Sequence, residues 1–267
     1  MTSPRPDLAP DPELTRTEMK ALQREIARAA VFEDDHDLGV DPAALADPLA
    51  ATASGDPPIV AGVDQSFLDD DRGLSAIVAM QAGEVIERVH AVADLEIPYI
   101  PGLLSFREGG PILAALAELS VEPDLFLFDG SGRIHFRQAG IATHIGVVCD
   151  VPSVGVAKSL LCGRPRKGLE NLPVGTRVPI EATERVEAPE GTVLGYAVQT
   201  RQYDSPNRHI NPLYVSSGHR VGPETAADVA LELASTYKLP EPIRLADGYA
   251  DEAKAEYEES SAERERI

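Results

Sequence analysis

The chain has 267 residues, 43% of them hydrophobic, enough for one sizeable domain with a core of its own. No stretch reaches the ~18 uninterrupted apolar residues of a membrane-spanning helix, and the opening MTSPRPDLAPDPELTR lacks the apolar centre of a secretory signal. With 24 Lys+Arg against 44 Asp+Glu, the formal net charge of −20 removes the usual electrostatic argument for a nucleic-acid partner.

In chain order, Leu14, Met19, Leu22, Ile26 and Ala30 recur at near-helical spacing and predict a helix over Pro12 to Phe32. An acidic, Ala/Pro/Gly-rich connector follows from Glu33 to Pro58. A buried-strand pattern runs from Ile59 to Val63 and ends on Asp64. Leu74 to Met80 and Glu84 to Val92 read as the next two strands, with Gln81-Ala82-Gly83 as the hairpin turn. A helix is expected from Gly110-Pro111, with Ile112, Leu113, Leu116 and Leu119 on one face. Asp124 to Phe128 is a further strand and again ends on an acid, Asp129.

A helix across Ala139 to Val148 and a strand from Ser153 to Ala157, running into Lys158, come next. Strands near Val193 to Thr200 and Leu213 to Ser216 precede a helix from Gly222-Pro223 to about Tyr237. Three strands followed by alternating helices and strands make an α/β layered domain. The reading divides the chain into a helical extension and acidic linker (1–55), a catalytic domain (56–245) and an acidic, flexible tail (246–267).

Only five lysines occur (Lys20, Lys158, Lys167, Lys238 and Lys254), and acids are spread along the whole chain. That pattern reads as adaptation to a salty cytoplasm, where net charge concerns solubility. Cys149 and Cys162 lie in apolar surroundings and read as buried thiols in a soluble, cytoplasmic protein.

The two strands that end on Asp64 and Asp129 carry the chemistry. Carboxylates at neighbouring strand ends meet in the crevice where α/β sheets bind ligands. Held that close, like charges are costly unless a cation sits between them. Mg²⁺ fits, because it takes oxygen ligands and leaves positions for substrate phosphate. Glu108, flanked by Gly109 and Gly110, is a third candidate acid, though compensation of a helix dipole would account for it alone. Two prolines brace Tyr99 and Ile100 in a stiff loop of the kind that parts stacked bases, or that packs a tyrosine on the core.

The blocks AGVDQSF, PYIPGLLSFREG, PDLFLFDGSG, THIGVVCDVPSVGVAKSLLCG and SSGHR, in that order, resemble the endonuclease V family over roughly Ile59 to Ala234. The resemblance implies an RNase H-like fold, a central mixed β-sheet flanked by helices. It implies a deoxyribonuclease V that nicks DNA at the second phosphodiester bond 3′ to deoxyinosine, leaving 3′-hydroxyl and 5′-phosphate ends. Asp64 and Asp129 then bind Mg²⁺, with Mn²⁺ as a substitute, and Glu108 completes the acids directly or through water. Lys158 lies near the scissile phosphate and His219 in the shell of waters around the metal. Tyr99, with Ile100 and Pro101, is the wedge, and Gly102, Leu104, Gly130 and His135 surround the extruded base.

The chain departs from the family's pattern at Ser131, commonly His, and at Phe136, commonly Pro. The expected partner is deoxyinosine-containing DNA, met by a monomer away from membranes. The alternatives are an inosine-specific endoribonuclease, another RNase H-like nuclease, and a nucleic-acid-binding module whose acids are structural.

Overall fold

In a computed structural model of the chain, residues 5–36, 38, 45, 55–205 and 207–264 are described. These residues form strands β1 (Ile59–Phe67), β2 (Arg72–Gln81), β3 (Glu84–Asp94), β4 (Leu125–Asp129), β5 (Ser153–Ala157), β6 (Arg164–Pro165), β7 (Arg177–Glu181), β8 (Val193–Val198) and β9 (Leu213–His219). The helices are α1 (Arg16–Ala29), α2 (Leu104–Ala117), α3 (Ile141–Cys149), α4 (Pro223–Glu232) and α5 (Glu241–Arg264). One mixed sheet is ordered β3-β2-β1-β4-β5-β9-β8-β7-β6. β4 runs parallel to both β1 and β5, and the other pairings are antiparallel.

Successive residues of a strand face opposite sides of a sheet, and here both sides are covered. Phe126 and Phe128 join Ala61 and Val63 beneath α1, α2 and α3, packing with Ile26, Ile112 and Ile145. Leu125 and Leu127 face the other way with Val60, Val154 and Val156, beneath α4 and Ile243 of α5. The hairpin turn expected at Gln81-Ala82-Gly83 is present, with left-handed φ values of 51° at Ala82 and 80° at Gly83. That is the backbone twist a two-residue turn between right-twisted strands requires.

Three departures from the sequence reading bear on the site. β1 does not stop at Asp64; its antiparallel partner carries it to Phe67, paired with Gly73. α2 starts at Leu104, so Pro111 lies inside it instead of at its first turn. Burial of Leu103 and Phe106 against Met19 of α1 starts the helix early and overrides the proline signal.

The largest departure is at the C-terminus, where the tail assigned to 246–267 is helical to Arg264 within α5. Ile243, Ala246, Ala250 and Ala253 are all buried. α5 lies so close to β1 that a Cβ on Gly62 would run into the Pro242 backbone. A stripe made mostly of alanine among acids is a weak hydrophobic signal, which is why composition alone reads as solvated. The acidic linker falls largely outside the described residues.

Candidate active site

Strand parity places the acids. Leu125 and Leu127 face α4 and α5, so Asp129, two residues on, faces the same way. Val63 faces the opposite helices, so Asp64 also turns toward α5. β1 and β4 are neighbours with Val63 beside Phe128, which sets the two carboxylates side by side just past the end of their parallel pairing. α5 then brings a third. Asp64, Asp129 and Asp247 each offer a carboxylate oxygen, all within 4.8 Å of one another. Asp247 was missed by the sequence reading, which placed it in the tail; the signal available was Gly62, where a bare backbone lets α5 approach.

The electrostatics of this cluster are those of a cation site. Burial, then the charge of Asp129 and a hydrogen bond with Asp247, raise the Asp64 carboxyl to about 8, despite a hydrogen bond from Gln65 N at 2.8 Å. Lys158, just after β5, puts its Nζ 2.7 Å from Asp129 and 3.5 Å from Asp247. Burial works against its ammonium, but the hydrogen bond and charge of Asp129, with Asp64 and Asp247, outweigh it and hold the pKa above the ordinary lysine value. Three hard oxygen donors that need a lysine to offset their charge suit an oxygen-seeking divalent cation.

Glu108 comes from α2, on the far side of the sheet. It lies outside the group of three, yet near enough to Asp129 to be affected by its charge. Burial first, and Asp129 second, push its carboxyl up to about 7 against the lowering effect of Arg107. Such a group exchanges a proton near neutral pH, as a general base must.

Beside the acids lies a recess whose walls include Tyr99, Gly102, Leu104, Ser131 and His135. Ser131 follows Asp129 by two residues, which ties the recess to the acids through one short turn. Tyr99 is 66% exposed at the rim, as a wedge would be. Pro101 is exposed as well, while Ile100 is half-buried and packs toward Met19, Leu103 and Phe106 instead of the recess. Gly130 lies under the floor: a Cβ there would meet Ile141 Cγ2 at 2.6 Å.

His135 is held in one tautomer. Arg137 N donates to its Nδ1 at 3.2 Å, so Nε2 carries the hydrogen and donates to Gly102 O at 3.2 Å. Burial lowers its pKa to about 3, so it is a neutral wall of the recess.

His219 is not part of this assembly. It pairs with Ser153 at the start of β5, whereas Asp129 pairs with Val156 near that strand's end. Its Nδ1 accepts from Val31 N and its Nε2 donates to Asp150, both at 3.1 Å. In this structure the ring clamps the chain after α1 to Asp150. Asp124, just before β4 and so at the other end of that strand from Asp129, accepts from Ile59 N at 2.7 Å.

The endonuclease V family model matches residues 45–248. The endonuclease V of the halophilic archaeon Haloarcula marismortui is 62% identical over 95% of this chain and 98% of its own length. The crystal structure of endonuclease V from Streptomyces avermitilis superposes with a TM-score of 0.74 at 30% identity, covering 96% of this chain and 99% of that one. The endonuclease V of Ciona intestinalis, in complex with a 24mer DNA containing an inosine followed by a ribo-adenosine, superposes at 0.69 with 24% identity over 90% of this chain and 98% of its own. The expected RNase H-like fold, a central mixed sheet flanked by helices, is borne out.

Proposed function

The chain belongs to the endonuclease V family and is an endonuclease, and from that premise we propose that it is a Mg²⁺-dependent DNA repair enzyme specific for deoxyinosine. It nicks the second phosphodiester bond 3′ to the lesion and leaves 3′-hydroxyl and 5′-phosphate ends. It works as a monomer in the cytoplasm. The observation that carries this reading is the convergence of three carboxylates beside a recess rimmed by an exposed, proline-braced tyrosine.

Asp64, Asp129 and Asp247 would hold Mg²⁺, with Mn²⁺ as a substitute. When bound, the ion would polarise the scissile phosphate and offset charge in the transition state. Glu108, poised near neutrality, takes a proton from the attacking water. Lys158, beside Asp129, would offset charge developing on the non-bridging oxygens. Tyr99 fills the stack left by the extruded base. The recess receives the hypoxanthine against the Gly102 backbone, Leu104 and the neutral His135. Unpaired and mismatched bases cost least to extrude, so an inosine is favoured before it touches the recess. The Ciona relative's inosine-containing DNA supports this choice of substrate.

The test is an incision assay with Mg²⁺ in high salt, on matched single- and double-stranded DNA and RNA oligonucleotides, each with one inosine. A single nick in the inosine DNA, lost in Asp129→Asn, is expected. Equal cutting of unmodified DNA would overturn the lesion-specific reading, and preferential cutting of RNA would make it an endoribonuclease.

A further inference from the structure

The recess beside Tyr99 depends on a side chain from outside the catalytic sheet. Gly102 directly follows the Tyr99-Ile100-Pro101 wedge and holds a left-handed φ of 77°. Its carbonyl receives three donors: Gln23 Nε2 at 3.0 Å, Arg137 Nη2 at 2.9 Å and His135 Nε2 at 3.2 Å. A carbonyl oxygen has two lone pairs, so three converging donors leave this peptide little freedom to rotate.

Gln23 also links the opposite wall. Its Nε2 reaches Ala139 O at 3.4 Å, and its Oε1 accepts from Arg137 Nε at 2.6 Å. Ala139 and Gly140 line the recess across from Gly102. One α1 side chain therefore spans the wedge loop and the loop after β4. Gln23 lines the recess itself but is only 1% exposed, so its main action is to hold these walls. It also lies outside the span matched by the family model, which begins at residue 45.

We propose that Gln23 is a positioning residue for base recognition: it sets the spacing between the Gly102 and Ala139 walls, and α1 is thereby part of the recognition site. This rests on the reading of the recess as the base pocket. A buried glutamine that served stability alone would, on removal, lower melting temperature and affect all substrates alike. A positioning residue changes the preference for inosine over adenine.

The experiment compares the wild type with Gln23→Met, which keeps the length and removes every donor and acceptor, and Gln23→Glu, which keeps the acceptor for Arg137 and loses the donors. Each binds single-stranded DNA oligonucleotides carrying inosine or adenine at one position, by fluorescence anisotropy with Ca²⁺ in place of Mg²⁺. Cleavage of the same pair in Mg²⁺ follows. A folded Gln23 variant is expected to lose about tenfold or more of the inosine-to-adenine preference, the size of loss a small misplacement produces. Adenine binding and the Mg²⁺-induced rise in melting temperature stay as in the wild type.

An unchanged preference in a variant that melts like the wild type overturns the proposal. Should neither Gln23 variant fold, Arg137→Lys, which cannot bridge Gln23 and Gly102 together, is judged by the same ratio. A wild type with no inosine preference overturns both the pocket reading and this one, whereas a discriminating wild type with a discriminating variant removes this one alone.

Discussion

Asp64 and Lys158 hold opposite ends of one electrostatic problem. Without a metal, Asp64 keeps its proton to about 8, because burial and Asp129 penalise its anion. Its folded pKa lies above the ordinary value of 3.8. Its contribution to stability is therefore full below about 4 and is lost as pH rises through about 8. In chelator, Asp64→Asn should thus gain in melting temperature over the wild type as pH rises from about 5 to about 9. A constant offset across that window would show that Asp64 does not titrate as stated. Binding Mg²⁺ must displace the same proton, so wild-type affinity rises with pH. Lys158 pairs with Asp129 and Asp247 and would compete with a bound cation for them. Lys158→Met is expected to tighten Mg²⁺ binding by calorimetry while slowing cleavage about 10²-fold, the usual loss when a transition-state donor is removed. Weaker Mg²⁺ binding in that variant would place Lys158 as a support for the acids, not a competitor.

Among the elements, α5 has the strongest influence on the site, because it delivers Asp247 along a path set by Gly62. Gly62→Ala puts a methyl into the Pro242 backbone, and neither partner is a flexible side-chain end. The expected cost is about 1–3 kcal/mol of stability, typical of overpacking, together with loss of the Mg²⁺-induced rise in melting temperature. A variant that keeps its metal response would show that α5 shifts without taking Asp247 out of reach. The contrast between α5 and the strands explains what could be read in advance. β4 (LFLFD) is a short run of large apolar residues and β5 (SVGVA) alternates valine with small residues, and the limits of both are legible to within a residue. α5 buries alanines, whose small surface barely separates them from the surrounding acids, so neither the helix nor Asp247 is legible. β7 (RVPIE) contains a proline and is short, which hides it in a Pro/Gly-rich stretch. β9 is expected from the sequence only to Ser216 and runs on to His219; a motif does not say toward which end of the sheet its last residue points, and the antiparallel register with Ser153 does.

At the scale of the molecule, Asp64 and Asp129 were legible because neighbouring parallel strands of an α/β sheet converge whatever the rest of the chain does, while the recess depends on α1 folding back from far away in sequence. The charge has its own logic. The net charge of −20 follows from 24 Lys+Arg against 44 Asp+Glu, so negative charge predominates on the molecule. At 0.1 M salt the Debye length is about 10 Å, so neighbouring surface acids repel one another; at 1 M it is about 3 Å and that repulsion is largely screened. Partly buried pairs such as those around Asp129 are screened less. Raising KCl from about 0.1 to about 2 M should therefore stabilise the fold as a whole without dismantling the acidic cluster. Relief of a few kcal/mol corresponds to a rise in melting temperature on the order of 10 °C for a domain of this size. The same series separates fold from binding. Affinity for DNA falls with salt in proportion to the phosphates neutralised, and a chain this poor in lysine has few to offer, so its binding should decline with a shallow slope. Thermal melts and anisotropy titrations across one set of KCl concentrations check both halves. A melting temperature that falls with salt, or a steep loss of DNA affinity, would mean that the acidic surface does more than keep the protein dissolved.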